Sequence, residues 1–211
     1  MRLPFRARPS PTALIAVGLF ILSLAVYLSG LPPSITWAHE ASDGPELATV
    51  VKTWGVAHPS GYPTYTLLGK LFSIIPAGDV AHRLSIMSAV AGAAAVAFTF
   101  LAATRVLAMM ARRAAPAQPR EGREPWFRLM AAASGALALA FSPIMWGQSV
   151  VAEVYALNIL FGAAIAYVLL AWIDDAQHDE RPPSLRKPLL AALLFGLAMG
   201  NHYTVAAIGV P

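Results

Sequence analysis

The stretch "ASDGPELATVVKTWGVAHPSGYPTYTLLGK" (residues 41–70) is the least hydrophobic long segment of the chain, and apolar runs lie on both sides of it. It contains two carboxylates, Asp43 and Glu46, together with a histidine, three aromatic side chains and several prolines. This composition is not typical of a disordered loop. It predicts a structured loop at one face of a membrane, so the fold depends on the apolar runs that flank it.

The composition excludes a soluble globular domain. Hydrophobic residues make up 57% of the 211 residues and charged residues 12%, and the mean hydropathy is positive. These values indicate an all-α polytopic membrane protein. The net charge of +4 comes from basic residues next to apolar runs, which is typical of cytoplasmic loops and argues against nucleic-acid binding. Because the chain has no cysteine, disulfides and thiolate metal sites are excluded.

Five apolar runs approach the ~20 residues that a helix needs to cross a ~30 Å hydrocarbon layer. They lie at about 12–31, 84–110, 129–147, 154–173 and 189–210. The first run favours an uncleaved anchor over a signal peptide, since it is long and no small-residue cleavage site follows it. The last run has no closing polar segment, so we expect residues 1–211 to be the N-terminal part of one bundle, truncated at its C-terminus.

The distribution of basic residues predicts the orientation of the bundle. If the N-terminus is cytoplasmic, the outer segments hold only Lys52, Lys70 and Arg83 of the 15 lysine and arginine residues. Positively charged loops are retained on the cytoplasmic side, so the loop 32–83 is expected on the extracytoplasmic side. The Ala- and Arg-rich composition and the short loops suggest a bacterial plasma membrane, with an endoplasmic reticulum membrane as the alternative.

Polar groups near the outer ends of the later spans are expected to share this face. Such groups are costly at membrane depth and tend to line cavities or functional sites. The alternative is that each satisfies a helix end or a neighbouring helix, as a carboxylate does near a helix N-terminus. The residues concerned are Glu153, Asn158, Asn201 and His202.

Within the outer loop, the spacing of Asp43 and Glu46 predicts a capping box, with Pro45 in the first helical turn. An apolar stripe follows at helical spacing, and Gly55 is a natural stop. We therefore expect an amphipathic helix of about three turns lying along the membrane interface. The stripe consists of Leu47, Val50, Val51 and Trp54.

The second half of the loop predicts another short helical segment. Pro59 and Pro63 keep the backbone before them extended, and Tyr62 and Tyr65 are rings of the kind enriched at the membrane–water boundary. The apolar segment "YTLLGKLFSIIP" (65–76) is too short to span and is expected to be interfacial or re-entrant.

Four motifs resemble a known family. "SDGPELATVVKTWGVAHPSGYPTYTLLGKLFSIIP", "AHRLSIMSAVAGA", "SVVAEVYALNILF" and "GLAMGNHYT" are similar, in order and spacing, to the N-terminal membrane region of the plexin-type protein O-mannosyltransferases and their bacterial relatives. The resemblance covers about residues 12–211. It departs at Gly44 and Pro45, which stand where the family more often has Ser and Gly, while Asp43 and Glu46 keep their places.

The resemblance implies a glycosyltransferase of GT-C type, with a GT-C-like bundle and amphipathic interfacial helices in the first outer loop. Such an enzyme moves a sugar, here mannose-like, from a polyprenyl-phosphate carrier to a hydroxyl group of a protein, glycan or lipid at the outer face. Because a hydroxyl is a poor nucleophile, a carboxylate must accept its proton, and the leaving phosphate needs cationic or hydrogen-bonding stabilisation.

On this reading, Asp43 is the general base and Glu46 its partner or alternate. Lys52, His58 and Arg83 are candidates to contact the carrier phosphate. The remaining predicted substrate-binding residues are Tyr62, Glu153, Tyr155, Asn158, Asn201 and His202. A divalent cation held by the three carboxylates is compatible with the sequence, but no spacing requires one.

Two other classes of protein remain open from the sequence. A secondary transporter would also place carboxylates, histidine and broken helices in a bundle, although the two halves show no clear internal repeat. A structural membrane scaffold is the third reading, but it does not explain why polar residues gather on one side.

Overall fold

The structure, a computed structural model, describes residues 10–114, 126–178 and 184–208, and these residues contain helices and no strand. In chain order the α-helices are α1 (Pro11–Ser29), α2 (Gly44–Thr53), α3 (Pro63–Phe72), α4 (Val80–Ala114), α5 (Trp126–Ala140), α6 (Pro143–Ser149), α7 (Tyr155–His178) and α8 (Arg186–Met199). Two short 3₁₀ helices cover Ala38–Glu40 and Tyr203–Ile208. The predicted all-α membrane protein is confirmed.

Three of these helices, α1, α4 and α7, are long and apolar enough to cross a membrane. A fourth span forms if α5 and α6 are taken together, with a bend of 64° between them. The run at 129–147 is therefore not one straight helix. The bend has a local cause, since the hydroxyl of Ser142 accepts the Met145 amide at 3.3 Å and Pro143 has no amide to continue α5.

The run at 189–210 also differs from one continuous helix. Helix α8 begins earlier, at Arg186, and ends at Met199 after 14 residues. Gly200, Asn201 and His202 then lead into the second 3₁₀ helix, and residues 209–211 lie outside the described part. The N-terminal arginines Arg2, Arg6 and Arg8 and the connector residues Arg120, Arg123 and Arg181, which contribute to the predicted orientation, also lie outside it.

The long helix α4 forms the centre of the molecule and contacts α1, α2, α3, α5, α6 and α7. Buried alanines along α4, such as Ala89, Ala93 and Ala95, let neighbouring helices approach closely. The closest approach is at Gly92, where an added Cβ would lie 2.2 Å from the Ser149 hydroxyl. Small side chains therefore determine how tightly α6 packs on α4.

The amphipathic helix predicted in the outer loop forms as α2, but its apolar face lies against protein. Leu47, Val50 and Val51 are buried in the same core cluster as Tyr65 of α3 and Leu84 of α4. Trp54, at the end of the stripe, is exposed, and the Lys70 ammonium lies 4.7 Å from the centre of its ring. The buried part of the stripe is thus covered by α3 and α4.

Candidate functional site

Polar side chains from five segments meet near the N-terminal end of α4. These segments are the start of α2, the α2–α3 connection, the α6–α7 connection, the start of α7 and the turn after α8. Ser88 of α4 binds the α6–α7 connection, because its hydroxyl donates to the backbone carbonyl of Glu153 at 3.3 Å. The predicted site residues found here, which we call the outer cluster, are Asp43, Glu46, His58, Tyr62, Glu153, Tyr155, Asn158, Asn201 and His202.

Asp43 precedes α2, but its carboxylate makes no hydrogen bond to the amides of the helix among the described residues. Its Oδ1 lies 3.4 Å from the Ser42 hydroxyl, and its Oδ2 lies 3.8 Å from His58 Nε2. The side chain is 30% exposed. The predicted capping box is therefore wrong, and the carboxylate of Asp43 faces the outer cluster.

Glu46, the other half of that predicted box, binds His58. Its Oε1 accepts the His58 backbone amide at 2.7 Å, and its Oε2 lies 2.8 Å from His58 Nδ1. The side-chain bond to His58 holds the pKa of Glu46 below its usual range, with the backbone bond adding to the effect. The same bond to Glu46 raises the pKa of His58. Glu46 therefore fixes the ring and favours the imidazolium.

Nδ1 of His58 carries the hydrogen that faces Glu46, so Nε2 is the nitrogen available to other groups. Nε2 lies 2.7 Å from the hydroxyl of Tyr62. Tyr62 is buried at 3% exposure, and its ring packs edge-on against His58 with centroids 5.0 Å apart. Burial raises the pKa of Tyr62, which keeps its hydroxyl protonated. Glu46, His58 and Tyr62 thus form a continuous hydrogen-bonded chain.

Glu153 is the most deeply buried ionisable group of the outer cluster, with 1% of its surface exposed. Its Oε1 accepts the backbone amide of Asp43 at 3.0 Å, whereas its Oε2 has no hydrogen-bond partner within the described residues. Burial raises the pKa of Glu153 to about 7. The carboxyl group therefore anchors the start of α2 from a position just before α7.

His202 lies among three tyrosine rings. Tyr62 and Tyr203 stack on it with centroids at 5.9 and 4.7 Å, and Tyr155 is tilted at 5.4 Å. Its Nδ1 accepts the amide of Thr204 at 3.3 Å and lies 2.8 Å from the Thr204 hydroxyl. Burial lowers the pKa of His202, so the ring is neutral with its hydrogen on Nε2. Tyr155 and Tyr203 are exposed, so part of the surface of both rings is accessible to solvent.

The two asparagines hold the turn after α8 in place. Asn158 of α7 donates to the Thr204 hydroxyl at 3.0 Å, and buried Asn201 donates to the carbonyl of Val154 at 3.1 Å. The amide of Thr64 in α3 adds a bond to the Gly200 carbonyl at 2.9 Å. These bonds position His202, and they fit the alternative reading that Asn158 satisfies a neighbouring segment.

Lys52 and Arg83 are not brought to the outer cluster. Lys52 is exposed in the last turn of α2, at the opposite end of that helix from Asp43. The guanidinium of Arg83 donates to the carbonyls of Ser73, Ala77 and Gly78 at 2.6 to 2.9 Å. Arg83 therefore closes the α3–α4 connection, and neither residue lies where it would contact a phosphate at Asp43.

No three carboxylate or imidazole groups are arranged to hold a metal ion in residues 10–114, 126–178 and 184–208. Of the three carboxylates considered from the sequence as ligands, Asp43 and Glu46 lie on opposite sides of the His58 ring, and Glu153 binds the backbone of Asp43. One oxygen of Glu153 receives an amide hydrogen, and both oxygens of Glu46 receive hydrogens of His58. The geometry gives no support to a cation at these carboxylates.

Thr204, Tyr203 and Ser88 contact residues of the outer cluster, although none was a candidate from the sequence. Thr204 and Tyr203 follow His202 directly in "GNHYT", so proximity to a polar motif could have indicated them. Ser88 lies in the motif "AHRLSIMSAVAGA", but a serine within an apolar helix commonly bonds a carbonyl of its own helix, so its residue type does not indicate a site. Its role depends on the α6–α7 connection crossing α4 at that level.

Comparison with known proteins shows which family the chain matches. Residues 43–211 match the family model of the protein O-mannosyl-transferase TMEM260 N-terminal domain. The chain is 28% identical to protein O-mannosyl-transferase TMEM260 of Mus musculus over 90% of its length, and 28% identical to the protein of that name from Dictyostelium discoideum over 98%. In both cases it spans 24% of the relative's length. No solved structure matches the chain.

Proposed function

This chain belongs to the family of protein O-mannosyl-transferase TMEM260 N-terminal domains, and we propose that it forms the acceptor-activating part of a GT-C type glycosyltransferase. In this proposal the enzyme transfers a mannose-like sugar from a polyprenyl-phosphate carrier to a protein hydroxyl. Both relatives carry protein O-mannosyl-transferase in their names, which supports sugar transfer over transport.

The observation that carries the proposal is the different use of the two carboxylates at the start of α2. Both oxygens of Glu46 accept hydrogens from His58, which weakens this group as a base. Asp43 makes no cap bond within the described residues, and its carboxylate is partly open to solvent. A carboxylate that is not consumed by helix amides is the better proton acceptor, so Asp43 is assigned as the general base.

The transfer step assigned to the outer cluster is a substitution at the anomeric carbon. The acceptor oxygen forms a bond to this carbon while the bond to the carrier phosphate breaks, and the phosphate leaves with the electron pair. The hydroxyl proton passes to Asp43. His58, whose imidazolium form is favoured by Glu46, lies 3.8 Å from Asp43 through Nε2 and is assigned to the developing phosphate charge.

The aromatic side chains around His202 are assigned to the sugar. The faces of sugar rings carry C–H groups that pack against aromatic rings, while hydroxyl groups need a few fixed donors and acceptors. Tyr155 and Tyr203 present exposed ring surface, and neutral His202 offers an Nε2–H donor between them. Tyr62, which contacts both His58 and His202, links the phosphate side of the cluster to the sugar side.

We assign the outer cluster to the extracytoplasmic face and the N-terminus to the cytoplasm. The support is the distribution of basic residues, since only Lys52, Lys70 and Arg83 lie in the segments on the side of the cluster. The prediction of a bacterial plasma membrane rests on composition alone, and both relatives named above are eukaryotic.

The experiment that tests the proposal is a transfer assay with the full-length protein in lipid vesicles. Labelled mannose is supplied as polyprenyl-phosphate mannose or, in a parallel reaction, as a nucleotide sugar, with a protein acceptor. The proposal predicts label on the acceptor from the lipid-linked donor only. Label from the nucleotide sugar alone would overturn the donor assignment, and sugar uptake into vesicles without any transfer would favour the transporter.

A further inference from the structure

A second polar region lies at the other end of the bundle. A groove of about 570 Å³ runs between α1, α4 and α7, within the size range of small-molecule sites. Its polar lining includes Arg105, Arg112, Asp174 and Tyr167, and its apolar wall includes Ala13 and Val17 of α1. None of these residues belongs to the outer cluster, and the transfer reaction gives them no role.

Arg105 and Arg112 lie two turns apart on α4 and both bind the Asp174 carboxylate of α7. The bond from Arg105 measures 3.3 Å, and Arg112 donates to the other oxygen. The Arg105 guanidinium also lies 5.3 Å from the centre of the Tyr167 ring. The described lining of the groove thus contains two guanidinium groups and one carboxylate, and positive charge exceeds negative charge there.

Two further features of the groove favour an anion. The Nε of Arg112 is buried and has no hydrogen-bond partner within the described part of the chain. Ser10, Thr12 and Ala13, at the N-terminal end of α1, also line the groove, and the positive end of the helix dipole lies there. A buried donor without a partner and a helix N-terminus next to two arginines form a site suited to a phosphate group.

The position of the groove along α4 indicates where such a phosphate would come from. Arg105 is 17 residues beyond Ser88, the residue of α4 that contacts the outer cluster, which corresponds to about 25 Å along a helix. This distance is close to the ~30 Å thickness of the hydrocarbon layer. The groove therefore lies near the opposite membrane surface, where lipid headgroups carry phosphates.

The exposed wall of α1 supplies the apolar half of the site. Ala13 and Val17 lie one turn apart on the same face, and both are exposed. A lipid chain that leaves the headgroup region would run along this face toward the bilayer interior, beside Leu101 of α4. The groove thus combines a cationic end with an apolar path, which matches the two parts of an anionic lipid.

We propose that the groove between α1, α4 and α7 binds the phosphate headgroup of an anionic membrane lipid through Arg105 and Arg112, with the start of its chain along α1. The ligand is a lipid phosphate, either the diester of a phospholipid or the monoester of a polyprenyl phosphate. Asp174 binds the two guanidinium groups and would compete with the headgroup for them.

A lipid-binding role and a purely structural role predict different effects of substitutions on lipid affinity. If the three charges only join α4 to α7, then loss of Asp174 or of Arg112 weakens the fold and neither change increases lipid affinity. If the groove binds a lipid phosphate, Arg112→Gln lowers the affinity, while Asp174→Asn raises it by removing the competing carboxylate. Arg113→Gln is a matched control, since Arg113 is the exposed neighbour of Arg112 and does not line the groove.

The test is lipid titration of the full-length protein followed by native mass spectrometry. The probes are phosphatidylglycerol, polyprenyl phosphate and zwitterionic phosphatidylcholine. The wild type is expected to bind one anionic lipid at least about fivefold more tightly than phosphatidylcholine, and each removed arginine to lower this affinity by about fivefold. The anionic probe that binds more tightly identifies the source of the phosphate.

Melting temperatures of all variants show whether each is folded, and Arg105→Gln provides a second removal if Arg112→Gln does not fold. Equal affinity of the wild type for all three lipids would overturn the proposal. Unchanged affinity in the folded arginine variants, or an equal loss in Arg113→Gln, would overturn it as well. A failed transfer assay would leave this result unaffected, because lipid binding is measured without donor sugar.

Discussion

The buried carboxyl group of Glu153 accepts the backbone amide of Asp43 at 3.0 Å, and this bond joins the α6–α7 connection to the start of α2. The residue that positions Asp43 is thus itself ionisable, and burial raises its pKa to about 7. The ionisation of Glu153 should therefore affect the stability of the outer cluster.

Replacing Glu153 by Gln should make the fold less sensitive to pH. The pKa of Glu153 is about 7 in the folded state against 4.5 for a free side chain, so the folded state holds the proton more tightly. Its contribution is fully present below pH 4.5 and is lost as pH rises through 7, a change of about 3 kcal/mol. Melting temperatures of both proteins at pH 5 and pH 8 check this. The melting temperature of Glu153→Gln relative to that of the wild type should be higher at pH 8 than at pH 5. The same relative melting temperature at both pH values would contradict the raised pKa of Glu153.

Replacing Glu46 by Gln should lower the pKa of His58 toward its ordinary value. The bond from Glu46 is the main cause of the raised pKa, and a neutral amide cannot stabilise the imidazolium to the same extent. The neutral imidazole reacts with diethyl pyrocarbonate, so the variant should be modified faster at His58 near pH 6.5. Peptide mapping measures this, with His82 as an internal control because its ring binds the Pro32 carbonyl instead. Equal rates at His58 in both proteins would refute the role of Glu46.

Arg83→Gln should destabilise the protein without reducing transfer per folded molecule. It removes three charge-assisted bonds to the carbonyls that close the α3–α4 connection, a loss of roughly 1–3 kcal/mol. Lys52→Gln removes one exposed charge and should change stability by less than about 0.5 kcal/mol. Thermal unfolding and the transfer assay check both variants. Lost transfer at an unchanged melting temperature in Arg83→Gln would restore Arg83 as a contact of the carrier phosphate.

Gly92→Ala should weaken the packing of α6 on α4. The new methyl group would lie 2.2 Å from the Ser149 hydroxyl and 3.2 Å from the Tyr27 ring, so both neighbours must move, at a cost of roughly 1–3 kcal/mol. Gly135→Ala is the matched control, since no described atom lies within 4 Å of its added Cβ. A lower melting temperature is expected for Gly92→Ala alone. Equal melting temperatures would mean that α4 and α6 are less closely packed than described.

The sequence predicted the helical membrane fold because hydropathy over about 20 residues depends on local composition alone. It also predicted that Glu153 and His202 lie on the same side as Asp43, since span order and loop charge fix which ends meet. The bend at Ser142 and Pro143 had a local signal, a capping residue before a proline, which a window of average hydropathy does not detect.

The pairing of Glu46 could not be predicted from spacing. A capping box and a bond to His58 both satisfy the carboxylate, and the choice depends on how the α2–α3 connection folds back over α2. The orientation of the apolar face of α2 was unpredictable for a similar reason. An apolar stripe packs equally well on lipid or protein, and only the position of α3 and α4 determines that Leu47 is buried in protein.

The role of Asp43 as general base is best tested by the rate of sugar transfer by full-length Asp43→Asn, at matched expression and with its melting temperature recorded. Asparagine keeps the size of the side chain and the backbone bond to Glu153 but cannot accept the proton. If Asp43 is the general base, the rate should fall by about 10²–10⁴-fold at an unchanged melting temperature, and Glu46→Gln should lose less. Full activity in Asp43→Asn would contradict the account and leave the proton acceptor to be sought at Glu153.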